Sequence, residues 1–239
     1  MGWAGGGGSV SGAGGHGLLL DGPELLGGSG GGGGAPQSEE QRGGDKRKCS
    51  EVANLPGEDT DIGAFARLIF QEATPRSDFA GTSAPWSYYF LELFSIAAVV
   101  INRVDFLNQP GLRQSQTLGF GNVGASLRDV IFSGGRNPDG RSFIPTQFEG
   151  FSRGGRISNR IRKRIAGVLN SSFDSEDCQK LLDALHVARL SLERGSYSPQ
   201  NLGLANIFAM RTADSGAPGG SFYQLPMIPG SRNVFYGLR

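Results

Sequence analysis

The sequence predicts a mainly α domain with irregular loops, preceded by a flexible glycine-rich segment. Three observations predict it. Glycine divides the chain, with 20 of the 40 glycines in residues 1–57 and the other 20 spread over the following 182. Beyond that division, apolar residues recur at three- and four-residue spacing in several windows, the period of an amphipathic helix. Strand-like runs are confined to short stretches near the C-terminus. The expected organisation is therefore a tether over residues 1–57 and one domain over 58–239.

The tether follows from backbone entropy. Glycine runs at residues 5–8 and 30–34 carry no side chain to bury and lose the most conformational freedom on ordering. A polar stretch, 37–48, closes the segment with the charge cluster Asp45-Lys46-Arg47-Lys48, which reads as a solvated linker.

From Asp59 the pattern becomes helical. Asp59 or Thr60 can cap, and Ile62, Phe65, Ala66, Ile69, Phe70 and Ala73 share one face. Pro75 stops this helix near Ala73, and a loop with Pro75, Gly81 and Pro85 occupies 74–87. A second helix, 89–104, is apolar almost all round through Leu91, Phe94 and the run from Ala97 to Ile101, so it belongs in the core. After a glycine-bearing loop, Ser126 and Asp129 form a capping box for a short helix ending at Phe132. A loop then leads to Gln147-Phe148. Two more helices are expected at 158–169 and 175–193, the latter closed by Gly195. Past Ser196, four prolines break the chain, and 206–210 and 233–236 are short strands or packed loops.

Scarce residue types exclude whole classes of chemistry. The chain has two histidines and two cysteines, and His16 and Cys49 fall in the tether. His186 and Cys178 remain, too few for a zinc site. They sit eight residues apart in one helix, about 12 Å along its axis, so they form no Cys–His pair. His186 lies in a leucine-rich pattern that reads as structural. No metal and no cofactor is expected, and carboxylates are the default catalytic groups. Two cysteines so distant in sequence announce no disulfide, which suits synthesis in a reducing cytosol. No apolar run reaches membrane-spanning length, and residues 18–20 are too short for a signal-peptide core.

The first helix ends Leu68-Ile69-Phe70-Gln71-Glu72-Ala73, placing one carboxylate among large apolar neighbours at the negative end of a helix dipole. Desolvation and the dipole both favour its proton, making Glu72 a candidate general acid for a glycosidic oxygen. The plainer alternative is an ordinary exposed helix-end glutamate.

The order of the surrounding pieces is informative. Glu72-Ala73, Glu92 before Ile96-Ala97-Ala98-Val99-Val100-Ile101-Asn102-Arg103-Val104, then Leu127-Arg128-Asp129-Val130-Ile131-Phe132, Gln147-Phe148 and Asn233-Val234-Phe235-Tyr236 together resemble the SleB-type cell-wall hydrolases, the spore cortex-lytic enzymes. The resemblance spans roughly residues 60–239. It implies a lysozyme-like fold of the goose-lysozyme and lytic-transglycosylase kind that cleaves the MurNAc–GlcNAc bond of peptidoglycan. In that frame Glu72 matches the catalytic glutamate, and Glu92 matches a second glutamate that assists catalysis or positions substrate. Where the family continues Glu-Ala as Arg-Gly-Glu, this chain has Thr74-Pro75-Arg76 and an insertion reaching Tyr89. Its Trp86, Tyr88 and Tyr89 are either sugar-stacking or core aromatics.

Further substrate-binding candidates are Gln147, which could bond an acetamido group, Phe148 beneath a sugar ring, Arg103, Tyr223 and Tyr236. Arg103 also reads as a tie holding neighbouring backbone. Residues 141–164 hold seven basic groups against the single acid Glu149. That excess supports an alternative function, a nucleic-acid- or partner-binding helical module using 153–164, although Ile161, Ile165 and Val168 mark the same helix as an ordinary amphipathic one with a solvated face.

The expected function is thus a metal-independent, monomeric peptidoglycan glycosidase acting on glycan strands, with neither nucleic acid nor membrane insertion involved. Without a recognisable signal peptide it would be made in the bacterial cytoplasm. It would reach periplasm or wall as an antibacterial effector delivered by a specialised secretion machine and neutralised in the producer by an immunity protein. Phage-mediated lysis is the competing route.

Overall fold

The computed structural model describes residues 47–133, 135–136, 143–144, 148–152, 154–215, 217–218 and 221–239. The glycine-rich stretch 1–46 lies outside them. Helix exceeds strand by 48% to 11%, so the class is mainly α. Six helices are described: α1 (Cys49–Ala53), α2 (Asp61–Glu72), α3 (Pro85–Leu107), α4 (Leu127–Ile131), α5 (Asn159–Leu169) and α6 (Glu176–Glu193). Two minimal antiparallel pairs, β1 (Gly135–Arg136) with β2 (Phe143–Ile144) and β3 (Phe151–Ser152) with β4 (Arg156–Ile157), precede α5. A three-stranded antiparallel sheet closes the chain, with β7 (Asn233–Leu238) between β5 (Ala209–Thr212) and β6 (Phe222–Gln224).

The helices begin where their caps dictate. Thr60 Oγ1 accepts from Gly63 N at the start of α2, Ser126 and Asp129 close a reciprocal box on α4, and Ser158 and Ser175 cap α5 and α6. The α3 helix starts four residues earlier than periodicity suggests, because Pro85 occupies its first turn, where a missing N–H costs nothing. It also runs on to Leu107, where Asn108 Nδ2 donates to Val104 O and Ala125 O. The α6 helix ends at Glu193, capped by Arg194 at a positive φ of 61°, one residue before the expected glycine.

The core lies between α2, α3 and α6. Phe65, Leu68, Ile69 and Phe70 of α2 and the run Ile96–Ile101 of α3 are buried, as are Leu181, Ala184 and Leu185 of α6. Gly63 is required where α2 crosses the preceding loop. A Cβ there would sit 1.9 Å from Gly57 O and 2.7 Å from Pro56 O.

Two expectations are corrected by this arrangement. The folded body begins well before residue 58, because α1 packs into the core with Cys49 and Ala53 buried. The two cysteines are joined, Cys49 to Cys178, across 129 residues of sequence. Backbone pairing brings them together. Cys49 N donates to Ser171 O and Phe173 N to Arg47 O, both at 2.9 Å, laying residues 47–49 antiparallel to 171–173 beside the first turn of α6.

Candidate active site around Glu72

The α2 helix ends on Glu72 because Ala73 leaves it in an extended conformation (φ −69°, ψ 142°), and Pro75 keeps the chain from resuming the helix by holding Thr74 out of the α region. The last turn of a helix leaves carbonyls without intrahelical partners. Here the carbonyls of Glu72 and of Ala73, which follows it, find partners from distant elements. Asn233 Nδ2, on β7, donates to Glu72 O at 2.9 Å, and Lys180 Nζ, on α6, donates to Ala73 O. The Lys180 ammonium also lies 5.3 Å from the centre of the Phe70 ring. Burial pulls its pKa down to about 8.

The Glu72 carboxyl stands in this corner. Its Oε1 is buried and has no hydrogen-bond partner. Burial raises its pKa to about 7, the Glu149 charge adds to the rise, and Lys180 opposes it. A carboxylic acid that still holds its proton near neutrality and has an uncommitted oxygen can donate that proton to a substrate atom.

Glu92 is different. It is fully buried on α3, and its carboxylate accepts from Thr74 N (3.0 Å), Thr74 Oγ1 (2.7 Å), Ser231 Oγ (2.5 Å) and Asn233 Nδ2 (3.1 Å). Both oxygens are engaged with protein donors, so the expected second catalytic carboxylate has no free atom to offer a substrate.

Among the other candidates, Arg103 and Phe148 are brought together, but inside the protein. Arg103 is 4% exposed, donates from Nε to Phe208 O at 2.7 Å, and lies over the rings of Phe120 (4.7 Å) and Phe148 (5.4 Å). Burial lowers its pKa to about 9. A Phe148 ring that is 2% exposed presents no face to a sugar, so Phe148 is corrected from a substrate contact to packing, and of the two readings of Arg103 the backbone tie holds and the substrate contact does not. Tyr236 is likewise buried, in the middle strand between Ala209 and Gln224. Tyr223 lies against Gly237 and accepts from Asn206 Nδ2. Gln147 lies outside the described residues. In the insertion, Tyr89 is core, edge-to-face with Phe79, whereas Trp86 is 58% exposed with the Arg76 guanidinium 4.2 Å from its ring.

Sequence reasoning missed three participants. Lys180 was signalled only by its position on the buried stripe of α6 with Ala184 and Val187. Thr74 follows the acid directly but reads as loop. Glu149 is the lone acid of the basic stretch.

Among the described residues of that basic stretch, three are in ion pairs. Arg162 meets Glu58 at 2.6 Å, Arg160 meets Glu149 at 3.3 Å, and Arg164 lies 3.6 Å from Asp177. Two concavities, of about 440 and 360 Å³, flank the β3–β4 hairpin and are lined among others by Arg128 and Phe132, and by Arg156 and Arg162; Glu72 lines neither. Among the described residues, no three His, Cys, Asp or Glu side chains gather as metal ligands, and no helix is long and apolar enough to cross a membrane.

No family model, no curated protein and no solved structure matches the chain.

Proposed function

We propose that this chain is a lysozyme-like, peptidoglycan-cleaving glycosidase in which Glu72 acts as general acid and then as general base. The observation that carries the reading is the Glu72 carboxyl itself, with one oxygen buried and unpartnered and its pKa near 7 at the end of a helix held by three other elements. Protonated, Glu72 donates to the oxygen leaving MurNAc as the glycosidic bond breaks. The resulting carboxylate then takes the proton of the group that closes the reaction. In a lytic transglycosylase that group is the C6 hydroxyl of the same sugar, giving a 1,6-anhydro ring, and in a muramidase it is water. With Glu92 fully engaged inside the protein, a route needing one carboxyl fits these residues better than one needing two.

The buried disulfide supports a working environment outside a reducing cytosol. That agrees with action in the periplasm or wall as a delivered antibacterial effector held in check by an immunity protein. Purified sacculi test the activity. Wild type releases soluble muropeptides and Glu72→Gln releases none while melting no lower than wild type; equal release by both refutes the assignment. Mass spectrometry of the products separates the two chemistries, since an anhydro end is one water lighter than a reducing end.

A further inference from the structure

Where a helix ends on a catalytic acid, the backbone that follows decides how well the acid is aimed. In this chain the peptide from Glu72 to Thr74 is gripped by two buried groups of opposite charge that come from different helices. From α3, the Glu92 carboxylate takes both the N–H and the hydroxyl of Thr74. From α6, the Lys180 ammonium takes the carbonyl of Ala73. The sheet completes the grip. Asn233 Nδ2 bridges Glu92 Oε1 and the Glu72 carbonyl, and Arg232 N donates to Thr74 Oγ1 at 2.9 Å. Ser231 Oγ, itself accepting from Asn233 N, donates to Glu92 Oε1. Every polar backbone group from the Glu72 carbonyl to the Thr74 N–H thus has a partner, the Ala73 N–H closing on Ile69 O at 2.9 Å, while one oxygen of the Glu72 carboxyl has none.

We infer that Glu92 and Lys180 form a charge-paired clamp on the Glu72–Thr74 backbone, making them positioning residues that hold the acid in its reactive place. Burying either charge alone is costly, and the two offset each other across a single extended peptide. Thr74 is the handle by which the clamp is attached to the chain. This explains a fully buried glutamate on α3 and a lysine on the buried stripe of α6. Neither contributes to packing what an apolar residue would, and neither touches substrate. The inference rests on the reading of Glu72 as the acid.

The test uses the full chain on purified sacculi. Glu92→Gln places an amide donor among four donors, and Thr74→Val removes the hydroxyl at nearly constant volume. Each lowers kcat about 10- to 100-fold, the scale of a roughly 1 Å misplacement, with KM changed less than about twofold. Thr74→Ser, which keeps the hydroxyl, recovers most of the kcat that Thr74→Val loses. Asn102→Ala, a buried change remote from the clamp, lowers stability and leaves kcat alone, so loss of kcat is not loss of fold. Wild-type kcat in Glu92→Gln and Thr74→Val, with Glu72→Gln inactive, overturns the clamp and leaves the acid in place. If wild type cuts no sacculi, the reading of the acid fails by itself. The clamp is then judged on the 13C carboxyl resonance of Glu72, whose titration midpoint moves in Thr74→Val and returns in Thr74→Ser; an unmoved midpoint overturns it.

Discussion

Removing the Cys49–Cys178 bond is the perturbation whose size the fold fixes most directly. The bond closes 129 residues of chain, and restricting a loop of that length removes about 17 cal/mol/K from the unfolded ensemble, or about 5 kcal/mol at 25 °C. For an ordered body of this size each kcal/mol moves the melting temperature by about 2–4 °C, so the double variant Cys49→Ala/Cys178→Ala melts about 10–20 °C lower. The loss also has a place. With the bond gone, α1 is held by the short pairing of 47–49 with 171–173, the Arg47 guanidinium over the Phe173 ring and the burial of Ala53, so amides of α1 exchange first while those of α2 and α3 stay protected. Circular dichroism melts of the oxidised, reduced-and-refolded and doubly substituted chains give the first quantity, and hydrogen exchange gives the second. A reduced chain that melts within about 3 °C of the oxidised one refutes the reasoning.

Three further outcomes are expected. Because the folded Glu72 pKa is raised from 4.5 to about 7, the native state binds more protons than the unfolded state between those values; stability is full below pH 4.5 and falls by up to about 3 kcal/mol as pH rises through 7, a slope that Glu72→Gln abolishes in pH-dependent melts. Asn102→Ala takes the amide donor from the Ile207 carbonyl and one of two donors from the Leu204 carbonyl, each now bonded at 2.8 Å by the Asn102 amide, and costs about 1–3 kcal/mol in urea unfolding. Gly63→Ala drives a methyl into the carbonyls of Gly57 and Pro56 and costs about 1–3 kcal/mol in the same assay, with Ala64→Gly as the control for helix propensity.

Local chemistry made much of this legible in the sequence. The α2, α5 and α6 helices are readable because each couples a Thr or Ser cap to an apolar stripe of period 3.6, and α3 because a run from Ile96 to Ile101 has no polar side to expose. Glu72 is readable because its surroundings, Leu68, Ile69 and Phe70 before it and a proline after it, lie within one turn. What was not legible is what pairs across distance. The partners of Glu92 come from positions 74, 231 and 233, so the helix pattern alone leaves it an ordinary glutamate. The disulfide joins ends 129 residues apart, with no spacing to announce it. Arg103 reads as either a recognition group or a tie on neighbouring backbone, and Phe148 as a recognition group, because neither sequence neighbourhood reveals that each covers the other. The C-terminal strands are short runs between prolines, fixed by their register on β7 more than by their own composition.

The central claim is that Glu72 keeps its proton near neutrality in a buried corner, and the measurement that tests it most directly is the carboxyl titration of that one residue. In 13C-glutamate-labelled protein, with Glu72→Gln assigning the resonance, the account predicts a midpoint of about 7. A midpoint at the ordinary glutamate value of about 4.3 contradicts it.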